Sequence, residues 1–259
     1  MAELTITFLG TGTSQGVPMV GCGCEVCASK DPRDNRTRSS IYASTPECAW
    51  VIDTGTDFRA QCLRANLSKL DAVVYTHSHT DHIMGFDDLR PFCTPEILMP
   101  IYASPETMAD LKRVFHFAFT DENLFPTYVR PDPHIIDGPF TLGGTELTPL
   151  PVKHGRAKVN GYLFSRKGEA LAAYISDCKE IPDAVIDRIK GVKTLILDAL
   201  RHTQHPTHMT VAEALAVVEK VKPGETWFTH ICHDLAHAQT EATLPQGVRM
   251  AYDGLKLTL

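Results

Sequence analysis

One short stretch of this sequence concentrates side chains that bind metal ions. It reads Thr76-His77-Ser78-His79-Thr80-Asp81-His82 and directly follows an apolar run. Neutral imidazole and carboxylate are groups that Zn, Mn and Fe accept as ligands. His77 and His79, two residues apart, can reach one ion from a turn, while Asp81 and His82 then point towards a second. The spacing therefore predicts a site for two metal ions.

A second group of candidate ligands consists of thiols. The stretch Gly21-Cys22-Gly23-Cys24-Glu25-Val26-Cys27 has the pattern C-x-C-x-x-C. Three thiolates this close in sequence can fill three corners of a tetrahedral zinc site. The fourth ligand must come from elsewhere, and His233 is the first candidate, with Cys232 as the alternative. We predict a structural zinc in a cysteine-rich loop near residues 21–28.

Three more histidines and two arginines are candidates for handling a phosphate. His202, His205 and His208 lie close together, and His208 comes just before a predicted helix. The N-terminus of a helix favours anionic groups. Arg38 and Arg90 are candidates for holding a phosphate oxygen, although a solvent-facing salt bridge is the favoured interpretation of both.

The elements that must position these groups are mostly strands. Alternating apolar residues and β-formers predict strands at residues 4–9, 40–43, 49–53, 71–75, 100–103, 141–150, 161–165, 170–176, 193–197 and 226–229, with two more around residue 254. Helices are predicted at 57–65, from 105 to about 117, and from a capping box at Thr210 to about 221. Many strands with few helices between them indicate two packed sheets with helices outside, in one domain.

Composition narrows the class of protein. The 259 residues include 25 Lys+Arg and 31 Asp+Glu, a net charge of −6, and 43% are hydrophobic. This is typical of a soluble globular protein, and the acidic balance disfavours general nucleic-acid binding. We find neither a membrane-length apolar run nor a signal peptide, so we expect a cytoplasmic protein with reduced cysteines and no membrane association.

The T-H-x-H-x-D-H motif after a hydrophobic strand resembles the signature of the metallo-β-lactamase superfamily. That resemblance implies an α+β fold, a four-layer αββα sandwich forming a single domain over residues 1–259, with a dinuclear metal site between the sheets. It implies one ion bound by His77, His79 and His154, a second bound by Asp81, His82 and His230, and Asp177 bridging the two. Val51-Ile52-Asp53-Thr54-Gly55 resembles the family's V-I-D-x-G stretch, in which the Asp supports the metal loop without binding an ion.

Together with the opening stretch Leu9-Gly10-Thr11-Gly12-Thr13-Ser14-Gln15-Gly16-Val17-Pro18, the cysteine cluster resembles the PhnP-like branch of that superfamily. The resemblance implies a hydrolase of a small phosphodiester, cyclic or not, with two active-site ions (Zn, Mn or Fe) and one structural Zn. By that resemblance, the two ions would activate a water molecule as hydroxide for attack on phosphorus, Asp81 and Asp177 would orient it, and His208 would protonate the leaving alcohol. His202 and His205 remain alternatives to His208, and a homodimer remains open.

Other activities of the superfamily fit less well. A tRNA 3′-processing endonuclease resembling ribonuclease Z shares the same seven ligands and is the alternative function. It also requires a basic protruding arm, for which we find no Gly/Lys-rich insertion, and the net charge of −6 disfavours it. Hydrolysis of thioesters or lactams is disfavoured because the cysteine cluster and the His208 region of this sequence do not resemble the enzymes that catalyse those reactions.

Overall fold

A computed structural model describes residues 4–94, 97–120 and 128–259. Within these ranges the chain folds into two seven-stranded sheets with helices on their outer faces. The strands are β1 (Thr5–Gly10), β2 (Ser40–Ser44), β3 (Ala49–Ile52), β4 (Ala72–Val74), β5 (Met99–Ala103), β6 (Pro131–Ile135), β7 (Phe140–Leu142), β8 (Thr145–His154), β9 (Ala157–Arg166), β10 (Glu169–Ile175), β11 (Thr194–Asp198), β12 (Glu225–Thr229), β13 (Val248–Met250) and β14 (Lys256–Thr258). The helices are α1 (Phe58–Ala65), α2 (Thr80–Ile83), α3 (Pro105–Val114), α4 (Asp183–Ile189), α5 (Val211–Val221) and α6 (His237–Glu241), with 3-10 turns at Pro32–Asp34 and Phe86–Phe92.

Each sheet contains both antiparallel and parallel pairs. The first has the order β14-β1-β2-β3-β4-β5-β6, and the second has the order β13-β12-β11-β10-β9-β8-β7. In the second sheet β10, β11 and β12 run parallel, and β8 has the same direction because it is antiparallel to β9, which is antiparallel to β10. The carboxyl ends of these strands therefore meet at one edge of the sheet.

Three apolar cores separate four layers. Large side chains of both sheets fill the central core, including Trp50 from β3, Phe164 from β9 and Trp227 from β12. A second core packs α4 and α5 against the second sheet, and a third packs α1 and α3 against the first sheet. The predicted α+β sandwich of four layers in a single domain is confirmed.

The structure differs from the sequence-based expectation in a few elements. The single strand expected at 141–150 is a hairpin of β7 and β8, which turns at two glycines with positive φ. Strand β6 was not predicted because it contains Pro131 and Pro133, and it is tolerated at the edge of its sheet, where proline leaves no central ladder bond unmade. Helices α4 and α6 are too short for their apolar spacing to signal a helix.

The predicted sites lie in the connections that follow strands. The histidine motif follows β4, His154 ends β8, and His230 follows β12. Asp177 comes two residues after β10, which ends at Ile175. Among the helices of the described residues, none has the length and apolar character to cross a membrane.

Candidate active site

The first histidine group consists of His77, His79 and His154. Their candidate ligand nitrogens lie within 4.8 Å of one another. His77 Nε2 is 2.8 Å from His79 Nδ1, and the His154 ring centroid lies 5.5 Å from that of His77 and 5.2 Å from that of His79. His77 and His154 are buried, whereas His79 is exposed. The three imidazoles thus converge from two sheets on one point that is open to solvent on the side of His79.

The second group, rich in carboxylates, consists of Asp81, His82, Asp177 and His230. His82 Nε2 lies 3.2 Å from Asp81 Oδ2 and 3.3 Å from Asp177 Oδ2. The other oxygen of Asp177, Oδ1, lies 3.1 Å from His230 Nε2. A carboxylate oxygen of Asp177 also lies within 4.8 Å of a ring nitrogen of His154 in the first histidine group, so this carboxylate adjoins both groups.

The hydrogen bonds around these imidazoles fix which nitrogen carries the proton. His154 Nδ1 is 2.9 Å from the carbonyl oxygen of Thr207, which can only accept, so Nδ1 donates and Nε2 keeps its lone pair. His82 Nδ1 likewise donates to Asp53 Oδ2 over 2.7 Å. In both side chains the free nitrogen is therefore the one that faces the cluster, as a metal ligand requires.

Asp53 supports the motif as expected for a residue that does not itself bind an ion. Its buried carboxylate accepts hydrogen bonds from the backbone N–H and hydroxyl of Thr76 and from His82. The backbone of Asp53 has a φ of 65°, a conformation that side chains other than glycine seldom adopt. This strained backbone conformation directs the Asp53 carboxylate towards Thr76 and His82 of the histidine motif.

The imidazoles and carboxylates of the second group shift one another's pKa values. Although burial opposes it, the nearby imidazoles of His230 and His82 hold the pKa of Asp177 well below its ordinary value. Burial would lower the pKa of His82, but the carboxylates of Asp177, Asp53 and Asp81 raise it well above the ordinary value. Both carboxylates of this group are therefore ionised at neutral pH.

Several buried polar atoms of the second group lack a hydrogen bond, which indicates that these residues can bind divalent cations. Among the described residues, His82 Nε2, Asp177 Oδ2 and both ring nitrogens of His230 are buried, and none makes a hydrogen bond of suitable geometry despite the short distances given above. Each such group costs about 1–3 kcal/mol when it is left unpaired. A cation between these atoms would satisfy them together, since imidazole and carboxylate are suitable ligands for Zn or Mn.

His208 packs against both groups, and a buried carboxylate contacts its Nδ1 atom. Its ring centroid is 4.6 Å from that of His154 and 4.4 Å from that of His230. Its Nδ1 lies 2.7 Å from Oδ2 of Asp198, which also accepts the backbone N–H of Cys178. Burial is the main cause that raises the pKa of Asp198 and lowers that of His208 to about 3. Sequence reasoning gave Asp198 no function, although its position at the end of a parallel strand was a usable signal.

The two alternatives to His208 lie further out. His205 is half-buried, and its ring centroid is 5.1 Å from that of His208, whereas His202 is exposed. Neither belongs to the groups of candidate ligands found in the described residues. Geometry therefore favours His208 over His202 and His205 as the residue that reaches the reaction centre.

The thiol group consists of Cys22, Cys24, Cys27 and His233. The Sγ atoms of Cys22 and Cys24 lie 3.3 Å and 3.4 Å from His233 Nδ1, and all four candidate ligand atoms are within 4.8 Å of one another. A hydrogen bond from the backbone N–H of Cys27, followed by one from His233, lowers the pKa of Cys24 to about 6. The structure thus brings His233 to the three thiols, while the alternative, Cys232, accepts a hydrogen bond from its own neighbour Asp234.

The two arginines form salt bridges and are not members of the candidate ligand groups of the described residues. Arg90 pairs with Asp87 over 2.8 Å and lies over the ring of Tyr128. Arg38 pairs with Asp57 over 3.0 Å. Both therefore make the salt bridges that the sequence favoured, and Arg90 has no contact with either candidate ligand group in the described residues.

Known proteins share this architecture and sequence. The Beta-lactamase superfamily domain matches residues 50–231. The crystal structure of a new diphosphatase from the PhnP family shares 42% sequence identity and a TM-score of 0.91, covering 99% of this chain and 97% of that chain. Zn(2+)-bound PqqB from Methylobacterium extorquens shares the fold, with a TM-score of 0.80, 21% identity and coverage of 98% of this chain and 100% of that one.

A curated relative is longer than this chain. The octanoyltransferase of Porphyromonas gingivalis is 35% identical over 259 residues, which cover 96% of this chain and 50% of that protein. The chain thus spans half the length of that relative.

Proposed function

Because this chain belongs to the PhnP-like branch of the metallo-β-lactamase superfamily, a family of hydrolases, we propose that it hydrolyses a small phosphodiester with two divalent metal ions. The observation that carries the proposal is the shared carboxylate of Asp177, which adjoins both candidate ligand groups while His208 faces both. The 42% identity to a diphosphatase of the PhnP family supports chemistry at phosphorus.

We assign the seven ligands by their grouping. His77, His79 and His154 would hold one ion, Asp81, His82 and His230 would hold the other, and Asp177 would serve both. When bound, the two ions supply Lewis-acid activation of a water molecule and neutralise the charge that develops on the phosphoryl oxygens. Zn and Mn both suit this set of imidazole and carboxylate ligands.

The chain's own residues then control protons and orientation. Asp81 and Asp177 accept hydrogen bonds from the attacking water and set its direction. His208 Nε2 lies on the side of the site away from Asp198 and donates a proton to the leaving oxygen. The entry of an anionic phosphodiester favours the imidazolium, and the buried Asp198 stabilises it over the 2.7 Å contact.

We propose that the thiol group binds a separate structural zinc. His233 follows His230 by three residues, so one short turn carries a ligand of each metal site. The backbone of this turn is clamped, because Ile231 N–H donates to Thr11 and the carbonyl of Ile231 accepts from Thr13. Zinc at the thiol group would therefore hold the turn that presents His230, whose φ of 57° is strained.

The first test measures turnover and metal content together. The purified protein, with added Mn²⁺ or Zn²⁺, should hydrolyse bis-p-nitrophenyl phosphate or 2′,3′-cyclic nucleotides and contain about three metal ions per chain. His79→Ala should abolish turnover without unfolding the protein. His134→Ala, which removes a part-exposed histidine paired with Asp132, is the matched control and should retain turnover.

Two results would contradict the proposal. Retained activity in His79→Ala would reject the dinuclear assignment. A wild-type protein with its full complement of metal and no turnover on either substrate would reject the small-phosphodiester assignment, and cleavage of tRNA precursors would then be measured.

A further inference from the structure

The loop at residues 200–207 carries a histidine whose proton position is fixed. The backbone N–H of Thr207 donates to His205 Nδ1 over 3.3 Å, and Thr207 Oγ1 lies 3.2 Å from the same nitrogen. A backbone N–H can only donate, so Nδ1 holds the lone pair. The neutral ring of His205 must therefore carry its proton on Nε2.

This Nε2–H is a donor without a partner in the part of the chain that the structure describes. His205 is half-buried, and its hydrogen bonds there are the two at Nδ1. Going outward from the metal groups, the rings follow in the order His230, His208, His205, with centroids 4.4 Å and 5.1 Å apart. His205 is thus the next imidazole beyond the proposed proton donor, so a leaving group that reaches His208 lies close to it.

A guanidinium flanks the same loop. Arg201 donates from Nη2 to the carbonyl oxygen of Gln204 over 2.9 Å, immediately before His205. The Lys179 ammonium, which donates to the side chain of Gln204 over 3.1 Å, is itself paired with Glu213 over 2.8 Å. Burial, followed by the charges of His208 and Arg201, lowers the pKa of His205 and keeps its ring neutral. A neutral donor flanked by a guanidinium suits an anionic oxygen.

We propose that His205 determines substrate specificity by donating its Nε2–H to an anionic oxygen of the leaving group. The favoured substrate is then a diester whose leaving group is itself a phosphate monoester, that is, a diphosphate linkage. Hydrolysis forms one P–O bond from water and breaks the bridging P–O bond, and the released phosphate monoester keeps the bridging oxygen. This inference rests on the proposed function.

The experiment compares two substrates with different leaving groups. Diadenosine diphosphate releases a phosphate monoester, whereas bis-p-nitrophenyl phosphate releases a phenolate without a phosphate. For His205→Ala, the loss of kcat/KM should be about 10- to 100-fold greater with the diphosphate, which is the range for a hydrogen bond to a charged acceptor. His205→Gln, which keeps an N–H donor, should recover part of the loss. His202→Ala, an exposed histidine of the same loop, is the matched control and should not separate the two substrates.

The outcomes separate this inference from the proposed function. Equal losses with both substrates, or reduced metal content in His205→Ala, would overturn the inference, because His205 would then act by holding Thr207 against His154. A wild-type protein that cleaves bis-p-nitrophenyl phosphate and not diadenosine diphosphate would also overturn it while leaving the proposed function intact. A fully metallated wild-type protein that cleaves neither of these substrates nor a 2′,3′-cyclic nucleotide would instead reject the proposed function.

Discussion

Asp198→Asn provides a sharp test of how His208 works. The substitution keeps the shape of the side chain and removes the carboxylate that balances the His208 imidazolium, when it forms, across the 2.7 Å contact. Asp198 is fully buried, so no water can replace the lost charge without a rearrangement. We expect the variant to fold and bind metal, but to stabilise the His208 imidazolium poorly.

The size of the effect follows from the geometry of the pair. Two unit charges about 4 Å apart in a protein environment interact by about 4 kcal/mol. Each 1.36 kcal/mol corresponds to a tenfold change in rate, so the loss of the pair predicts a decrease in kcat of about 10³-fold. This lies within the roughly 10²–10⁴-fold that general acid catalysis contributes.

The assay uses the basicity of the leaving group. A 2′,3′-cyclic nucleotide releases an alkoxide that must be protonated, whereas bis-p-nitrophenyl phosphate releases a weakly basic phenolate. Asp198→Asn and His208→Ala should each lower kcat strongly with the first substrate and much less with the second, and the double variant should add little further loss. Asp87→Asn, which breaks the surface pair with Arg90, is the control. Equal losses with both substrates, or loss of bound metal in Asp198→Asn, would refute the reasoning.

Asp177→Asn removes the negative charge that adjoins both ligand groups. Metal affinity should therefore fall by more than the roughly 10–100-fold that is typical of residues supporting a ligand. Unchanged binding of two ions in titration calorimetry would contradict the assignment of Asp177 as a ligand. Cys24→Ser should lower zinc content and melting temperature, whereas Cys48→Ser, at a half-buried thiol outside the thiol group, should leave zinc content unchanged; equal zinc in the two variants would exclude the structural site. Burial, followed by the charge of Arg36, lowers the pKa of His237 to about 4. The unfolded chain therefore takes up this proton first as pH falls below about 6.5, and the free energy of unfolding should decrease by about 2 kcal/mol between pH 7.5 and 5. Urea titrations of His237→Gln should show a decrease smaller by about that amount, and a pH dependence equal to that of the wild type would rule out His237 as a contributor.

Sequence patterns predicted most of the fold because they report local physics. Alternation of apolar residues located the buried strands, and the capping box at Thr210 and Glu213 marked the start of α5, where both of its hydrogen bonds are present. The same patterns missed β6, since its two prolines signal a break and only the edge of a sheet tolerates them. They also joined β7 and β8 into one strand, since the turn between them depends on two backbone conformations with positive φ.

The sequence by itself determined which residue types are available and the order in which they follow strands. His77, His79, Asp81 and His82 lie within six residues, so their clustering is a local property that any fold of the chain would keep. The resemblance to a known family extended that set to His154, Asp177 and His230.

Only the tertiary structure decided which distant groups meet, because that depends on how two sheets stack and which strand ends share an edge. It brought His233, and not Cys232, to the three thiols. It placed Asp198 against His208, ten residues away along the chain. This hydrogen bond joins a strand end to a loop, and such a pairing leaves no periodic trace in a sequence.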